Sequence, residues 1–204
     1  MKYFILILIS LITLIIFASC GLIHTTKVDK EEAKFAKEYG GIYVFDKEIR
    51  DEIIQREKER EEAEQKVTTG DTFWEQREAI DKNLPQILSN GCKYGFSFYG
   101  SYDDEYLKPY YQKIKEYMGE EAFNKLKGGL KVTSYYVDKD NREIPITVYT
   151  AASASVTTYG LYGDEGAGFR LTRKDLVTLA GSNIFYLKNG KFVKSNEKRE
   201  GARH

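Results

Sequence analysis

The chain is predicted to fold as an α+β domain, an antiparallel sheet with helices inserted between its early strands. Three observations predict it. Asp46 to Lys66 is a charged run with helical pair spacing. Several segments from Leu130 onward carry the apolar and β-branched residues of strands, and Asn189-Gly190 joins two such segments as a tight turn. The number of strand candidates also permits a small barrel, an architecture that can enclose an apolar ligand.

Met1-Lys2-Tyr3 gives a short positive start, and Phe4 to Phe17 is apolar apart from Ser10 and Thr13. This is the charged-then-hydrophobic order of a secretory signal. The next residues, Phe17-Ala18-Ser19-Cys20-Gly21, resemble the lipobox of bacterial lipoproteins, in which small residues precede a cysteine. The resemblance is confined to this amino-terminal stretch. It implies cleavage between Ser19 and Cys20 by the lipoprotein signal peptidase, a diacylglyceryl thioether on the Cys20 sulfur, and a palmitate-class acyl chain on the new amino group. The mature lipoprotein would then be held at the cell envelope, outside the cytoplasm. Phe17 stands where the family pattern has Leu or another aliphatic residue, so processing requires a peptidase that tolerates an aromatic ring. Burial at about 0.8 kcal/mol per CH₂ makes two or three acyl chains an effectively permanent anchor. The competing reading is an uncleaved transmembrane helix continued through Leu22 and Ile23. Against it, the next basic residue is Lys27, and Ala18, Ser19 and Gly21 put small residues where processing needs them.

Residues 20–38 are polar and without sustained period, and read as a tether in which Ala33, Phe35 and Ala36 begin a short helix. The domain is expected over 39–195, with 196–204 a disordered tail. Gly40-Gly41-Ile42-Tyr43-Val44-Phe45 reads as a first strand. In Asp46 to Lys66, Glu52 with Arg56 and Glu62 with Lys66 are i,i+4 pairs of the favourable orientation, and only Ile49, Ile53 and Ile54 offer an apolar face. Its second half is therefore expected in water. Thr72-Phe73-Trp74-Glu75 fits a capping box for a helix to about Asn83, with Trp74 and Phe73 assigned to the core. Lys93 to Tyr102 alternates like a strand, and Pro109 opens a helix whose Tyr110, Ile114, Tyr117 and Met118 form a stripe stopped by Gly119. A strand over Leu130 to Asp138 and a turn at Lys139 to Arg142 lead to Ile144, Ile146 and Val148, where Pro145 argues for an edge position. Ser155 to Tyr162 and Gly168 to Leu171 are weaker strands, and Thr172-Arg173-Lys174-Asp175 is read as the cap of a short helix through Leu179.

Lys plus Arg equals Asp plus Glu at 31 each, so no excess positive field selects a nucleic-acid backbone, and none is expected as partner. The two cysteines are Cys20 and Cys92; with Cys20 lipidated, a disulfide framework is excluded and Cys92 reads as a half-buried apolar side chain. His24 and His204 are the only histidines, and neither is placed for a Ser/His/Asp arrangement or zinc. No phosphate loop or calcium loop has the required spacing, and no cofactor is expected.

Carboxylates remain as catalytic candidates: Asp103, Asp104 and Glu105, with Asp164 and Glu165. Their Gly-rich settings read first as turns. Tyrosine is abundant at 16 residues, among them Tyr94, Tyr99, Tyr102, Tyr106, Tyr110, Tyr111, Tyr135, Tyr136, Tyr159 and Tyr162. Such rings support protein or carbohydrate contacts, although an Ile- and Lys-rich composition also accounts for their number. The leading expectation is a lipid-anchored, non-enzymatic binding or structural module of the envelope, with an envelope protein or glycan as partner and lipidation at Cys20. The alternatives are a histidine-independent, carboxylate-based glycan hydrolase and a carrier of an apolar ligand in a barrel.

Overall fold

Alternation along Gly41–Val44 sets the architecture, because this strand is buried on both faces and must be covered on each. A computed structural model describes residues 2–19, 26–27, 30–96, 105–164, 166 and 168–198. In order along the chain these form α1 (Lys2–Ser19), β1 (Thr26–Lys27), α2 (Lys30–Tyr39), β2 (Gly41–Val44), α3 (Lys47–Glu64) and α4 (Phe73–Asn83). They continue as β3 (Tyr94–Gly95), α5 (Lys108–Met118), α6 (Glu120–Leu126), β4 (Lys131–Val137), β5 (Glu143–Asp164), β6 (Gly168–Ala180), β7 (Asn183–Lys188) and β8 (Lys191–Lys198). The class is α+β. The described strands do not close into a barrel, which corrects that alternative: the sheet runs β3-β4-β5-β2-β7-β8 and its two ends do not pair.

The chain divides into two units, one from residues 1–34 with 153–179 and one from 35–152 with 180–204. In the first unit, Tyr3 to Leu14 of α1 are exposed apolar side chains apart from Ser10 and Thr13, and the Thr13 hydroxyl donates to the Ile9 carbonyl at 2.7 Å. That bond turns the polar group back onto the helix. Among the described residues, no helix is long and apolar enough to cross a membrane. β1 pairs antiparallel with the far part of β5 (Thr26↔Thr158), and β6 also pairs with β5. Thr172 to Leu179 is therefore strand, not the capped helix expected. Pairing along β5 satisfies its backbone groups and overrides the local cap signal.

In the second unit, β2 pairs antiparallel with β5 (Gly41↔Thr150 to Val44↔Thr147) and parallel with β7 (Gly41↔Asn183 to Val44↔Tyr186). One face carries Ile42, Val44, Ile184 and Tyr186, with α3 on that side through Ile53 and Arg50. The other face carries Tyr43, stacked on Phe185 at 4.5 Å and edge-on to Phe192 at 5.0 Å, with Tyr117 of α5 against both Tyr43 and Phe185. α5 starts with Pro109 in its first turn, ends at Gly119 (φ 83°), and buries Tyr111, Ile114 and Met118. Tyr111 is the member of the stripe that the sequence reading left out.

Within the expected tether, Thr26–Lys27 form β1 and Lys30–Tyr39 form α2, which buries Ala36 and whose end Asn183 caps from β7. α3 begins where Asp46 Oδ1 accepts the Ile49 amide at 2.9 Å. Its second half is less solvated than expected. Arg60 is 12% exposed, pairs with Asp81 of α4 at 2.6 Å and donates to the Leu84 carbonyl. Glu57 accepts from Tyr94 Oη at 2.8 Å and Gln86 Nε2 at 3.1 Å, so these side chains fix α3 to the chain that follows it. α4 has the expected range, but Thr72 makes no side-chain cap bond to the helix and Trp74 is 75% exposed. Phe73 is half-buried; its neighbour, rotated by about 100° on the helix, points to water.

Pro145 occupies the interior strand β5, not an edge. The ladder to β4 explains the tolerance. Successive pairs Val132↔Val148, Ser134↔Thr147 and Tyr135↔Pro145 leave Thr133 unpaired on β4 and then Ile146 on β5, so the proline adjoins an irregularity in the pairing. The β3 strand covers Tyr94–Gly95, with Lys93 in an isolated bridge to Ile87 and Phe96 outside the strand, and residues 97–102 of the longer segment expected there lie outside the described residues. The β7–β8 hairpin is as expected, with Lys188↔Lys191 closing a two-residue turn in which Asn189 (φ 50°) and Gly190 (φ 80°) have the positive φ of type I′. β8 continues to Lys198, into the expected tail.

Candidate functional site

The end of β2, the start of α5 and the β4–β5 turn surround a cleft of about 880 Å³ in the second unit. Phe45 and Asp46 come from the β2–α3 junction. Tyr106, Pro109, Tyr110 and Lys113 come from the 3₁₀ turn Glu105–Leu107 and the first turns of α5, where i,i+3 and i,i+4 spacing sets them on one face. Tyr136 of β4 and Ile144, Pro145 and Ile146 of β5 form the opposite wall, and Leu187 of β7 closes the floor.

The aromatic lining is held from behind. The Phe45 ring lies edge-on to Tyr110 at 5.1 Å and to Phe192 at 5.2 Å, which ties the floor to the core under β7 and β8. Burial raises the Tyr110 phenol above its usual value, with Tyr136 nearby adding to the effect. Burial likewise raises Tyr136. Both hydroxyls therefore keep their protons well above neutrality and can donate as well as accept.

Charges of both signs occupy the rim. Arg142 reaches it from the β4–β5 turn, where its guanidinium pairs with Asp138 at 2.7 Å and Asp140 at 2.9 Å. Asp138 also accepts the amides of Asp140 and Arg142, both at 2.9 Å, and Asn141 adopts φ 60° to close the turn. The Arg142 side-chain and backbone bonds hold the Asp138 carboxyl below its ordinary range. Lys113 adds a second cation; Asp46 and Glu143 add anions. The sequence reading named Tyr106 and Tyr136 only as members of a tyrosine-rich set, and Tyr110 in that set and in the apolar stripe of its helix. It missed Phe45, Lys113, Arg142 and Glu143, whose convergence depends on sheet order.

Of the carboxylate candidates, Glu105 and Asp164 lie among the described residues. Glu105 is exposed and ion-paired with Lys108. Asp164 ends β5, while Asp103, Asp104 and Glu165 lie outside the described residues, as does the lipidation candidate Cys20. Cys92 is half-buried against Ile53, Leu88, Tyr94 and Ile146. Among the described residues, no group of three or more His, Cys, Asp or Glu is placed to hold a metal ion.

Comparison of the chain with protein-family models, curated proteins and solved structures gave no match.

Proposed function

We propose that this protein is a lipid-anchored binding module of the cell envelope, attached through Cys20 and taking its ligand in the cleft around Tyr110. The cleft carries the binding half of the reading. Its volume of about 880 Å³ lies within the roughly 300–1,000 Å³ of small-molecule sites, and an apolar lining with few polar groups is the usual composition of such sites. The lipobox-like Phe17-Ala18-Ser19-Cys20-Gly21 supports the anchor, as does the exposed apolar surface of α1, which suits a leader destined for a membrane.

Fatty-acid labelling tests the anchor. The natural chain takes up acyl label and fractionates with membranes, and Cys20→Ala does neither; a free Cys20 thiol by intact mass defeats the proposal. For the cleft, the full chain in nanodiscs should retain an envelope fraction less well once Tyr110→Ala is introduced. Retention indifferent to Tyr110 defeats the binding reading.

A further inference from the structure

We infer that the cleft takes an uncharged carbohydrate, with pyranose rings laid against the aromatic lining and hydroxyls turned to the rim. This rests on the binding reading above and names the ligand for that site. The lining chemistry leads to it. Phe45, Tyr106, Tyr110 and Tyr136 present ring surface, and the C–H face of a sugar is the apolar side of an otherwise polar molecule.

The rim decides against other ligands. Lys113 and Arg142 are its cations, Asp46 and Glu143 its anions, and Arg142 is already paired with Asp138 and Asp140. No excess positive charge remains to recognise a phosphate or carboxylate. A purely apolar chain is also a poor fit, because Lys113, Arg142 and Glu143 are exposed and Tyr106 is 53% exposed, leaving one side of the site in water. An amphipathic neutral ring satisfies both sides. Its hydroxyls can accept from Lys113, Arg142 and the tyrosine hydroxyls and donate to Glu143.

Titration calorimetry on the full chain, in a detergent without a sugar headgroup, tests the inference. The probes are β-1,4-linked tetrasaccharides of glucose and of N-acetylglucosamine, compared with palmitate, phosphocholine and a proline-rich peptide. Saturable binding of at least one tetrasaccharide is expected. Tyr106→Ala, at a half-exposed position, should weaken it on the order of tenfold. Tyr110→Phe should weaken it less, and Trp74→Ala on α4 should leave it unchanged. Variant folding is checked by circular dichroism. Tyr106-dependent binding of palmitate, phosphocholine or peptide, with no tetrasaccharide bound, overturns the carbohydrate assignment and preserves the binding reading. Tetrasaccharide binding indifferent to both tyrosine variants overturns the assignment to this cleft. No Tyr106-dependent binding of any probe overturns the assignment, and if envelope retention is also indifferent to Tyr110 the binding reading falls with it.

Discussion

Asn183 Nδ2 donates to the Gly40 carbonyl oxygen at 2.8 Å, inside a site where Asn183 is 2% exposed. The same amide reaches the Lys37 carbonyl at 2.9 Å, so one side chain on β7 satisfies the end of α2 and the entry to β2. Asn183→Leu has similar bulk but no donor. It should destabilise the fold by about 1–3 kcal/mol, because buried carbonyls lose their partner. Urea unfolding measures this, and a change within about 0.5 kcal/mol would show that these bonds are dispensable.

The same corner forbids side chains. A Cβ on Gly181 would sit 1.9 Å from the Gly40 carbonyl oxygen, a backbone atom that cannot swing away, whereas one on Gly128 would meet nothing within 4 Å. Gly181→Ala should therefore cost about 1–3 kcal/mol or more through forced backbone movement. Gly128→Ala should stay within about 0.5 kcal/mol of the natural protein. Thermal unfolding of the pair checks the contrast; equal midpoints would contradict the packing between β2 and β7.

Alkaline pH should loosen the second unit. Burial, with the Glu197 carboxylate bonded at 2.7 Å, pushes the Tyr186 phenol up to about 12 from an ordinary value of 10.0. Burial also raises Tyr43 and Tyr94. In each case the unfolded chain loses its proton first, so the contribution to stability is fully present below pH 10.0 and falls as pH rises toward the folded-state value. Unfolding followed by circular dichroism, with tyrosinate absorbance read in parallel, tests the sign. Stability that rises above pH 10.0 would contradict it.

Tyr94 and Glu57 give a measurable coupling between β3 and α3, since the phenol donates to the carboxylate at 2.8 Å. Tyr94→Phe should cost about 1.5–3 kcal/mol, the range for a hydrogen bond to a charged group. In a double-mutant cycle with Glu57→Gln the two losses should fall short of additive, because the second change removes a bond already broken. Strict additivity would mean that the two side chains do not act together.

Local chemistry was enough for several elements. The charge run at Asp46 to Lys66 determined α3, the proline at 109 and glycine at 119 bounded α5, and Asn189-Gly190 determined the β7–β8 turn, because capping, fixed φ and positive φ act over a few residues. Tertiary structure decided the rest. Thr172 to Leu179 became strand through pairing with β5, Pro145 entered an interior strand beside an irregular ladder, and Trp74 was left in water by the way α4 packs. The cleft belongs to the second group. Its walls come from residues near 45, 106–113, 136–146 and 187, which meet only because β2 lies between β5 and β7 with α5 across one face. Strand order is fixed by burial over the whole sheet, a non-local free energy that no short run of sequence carries.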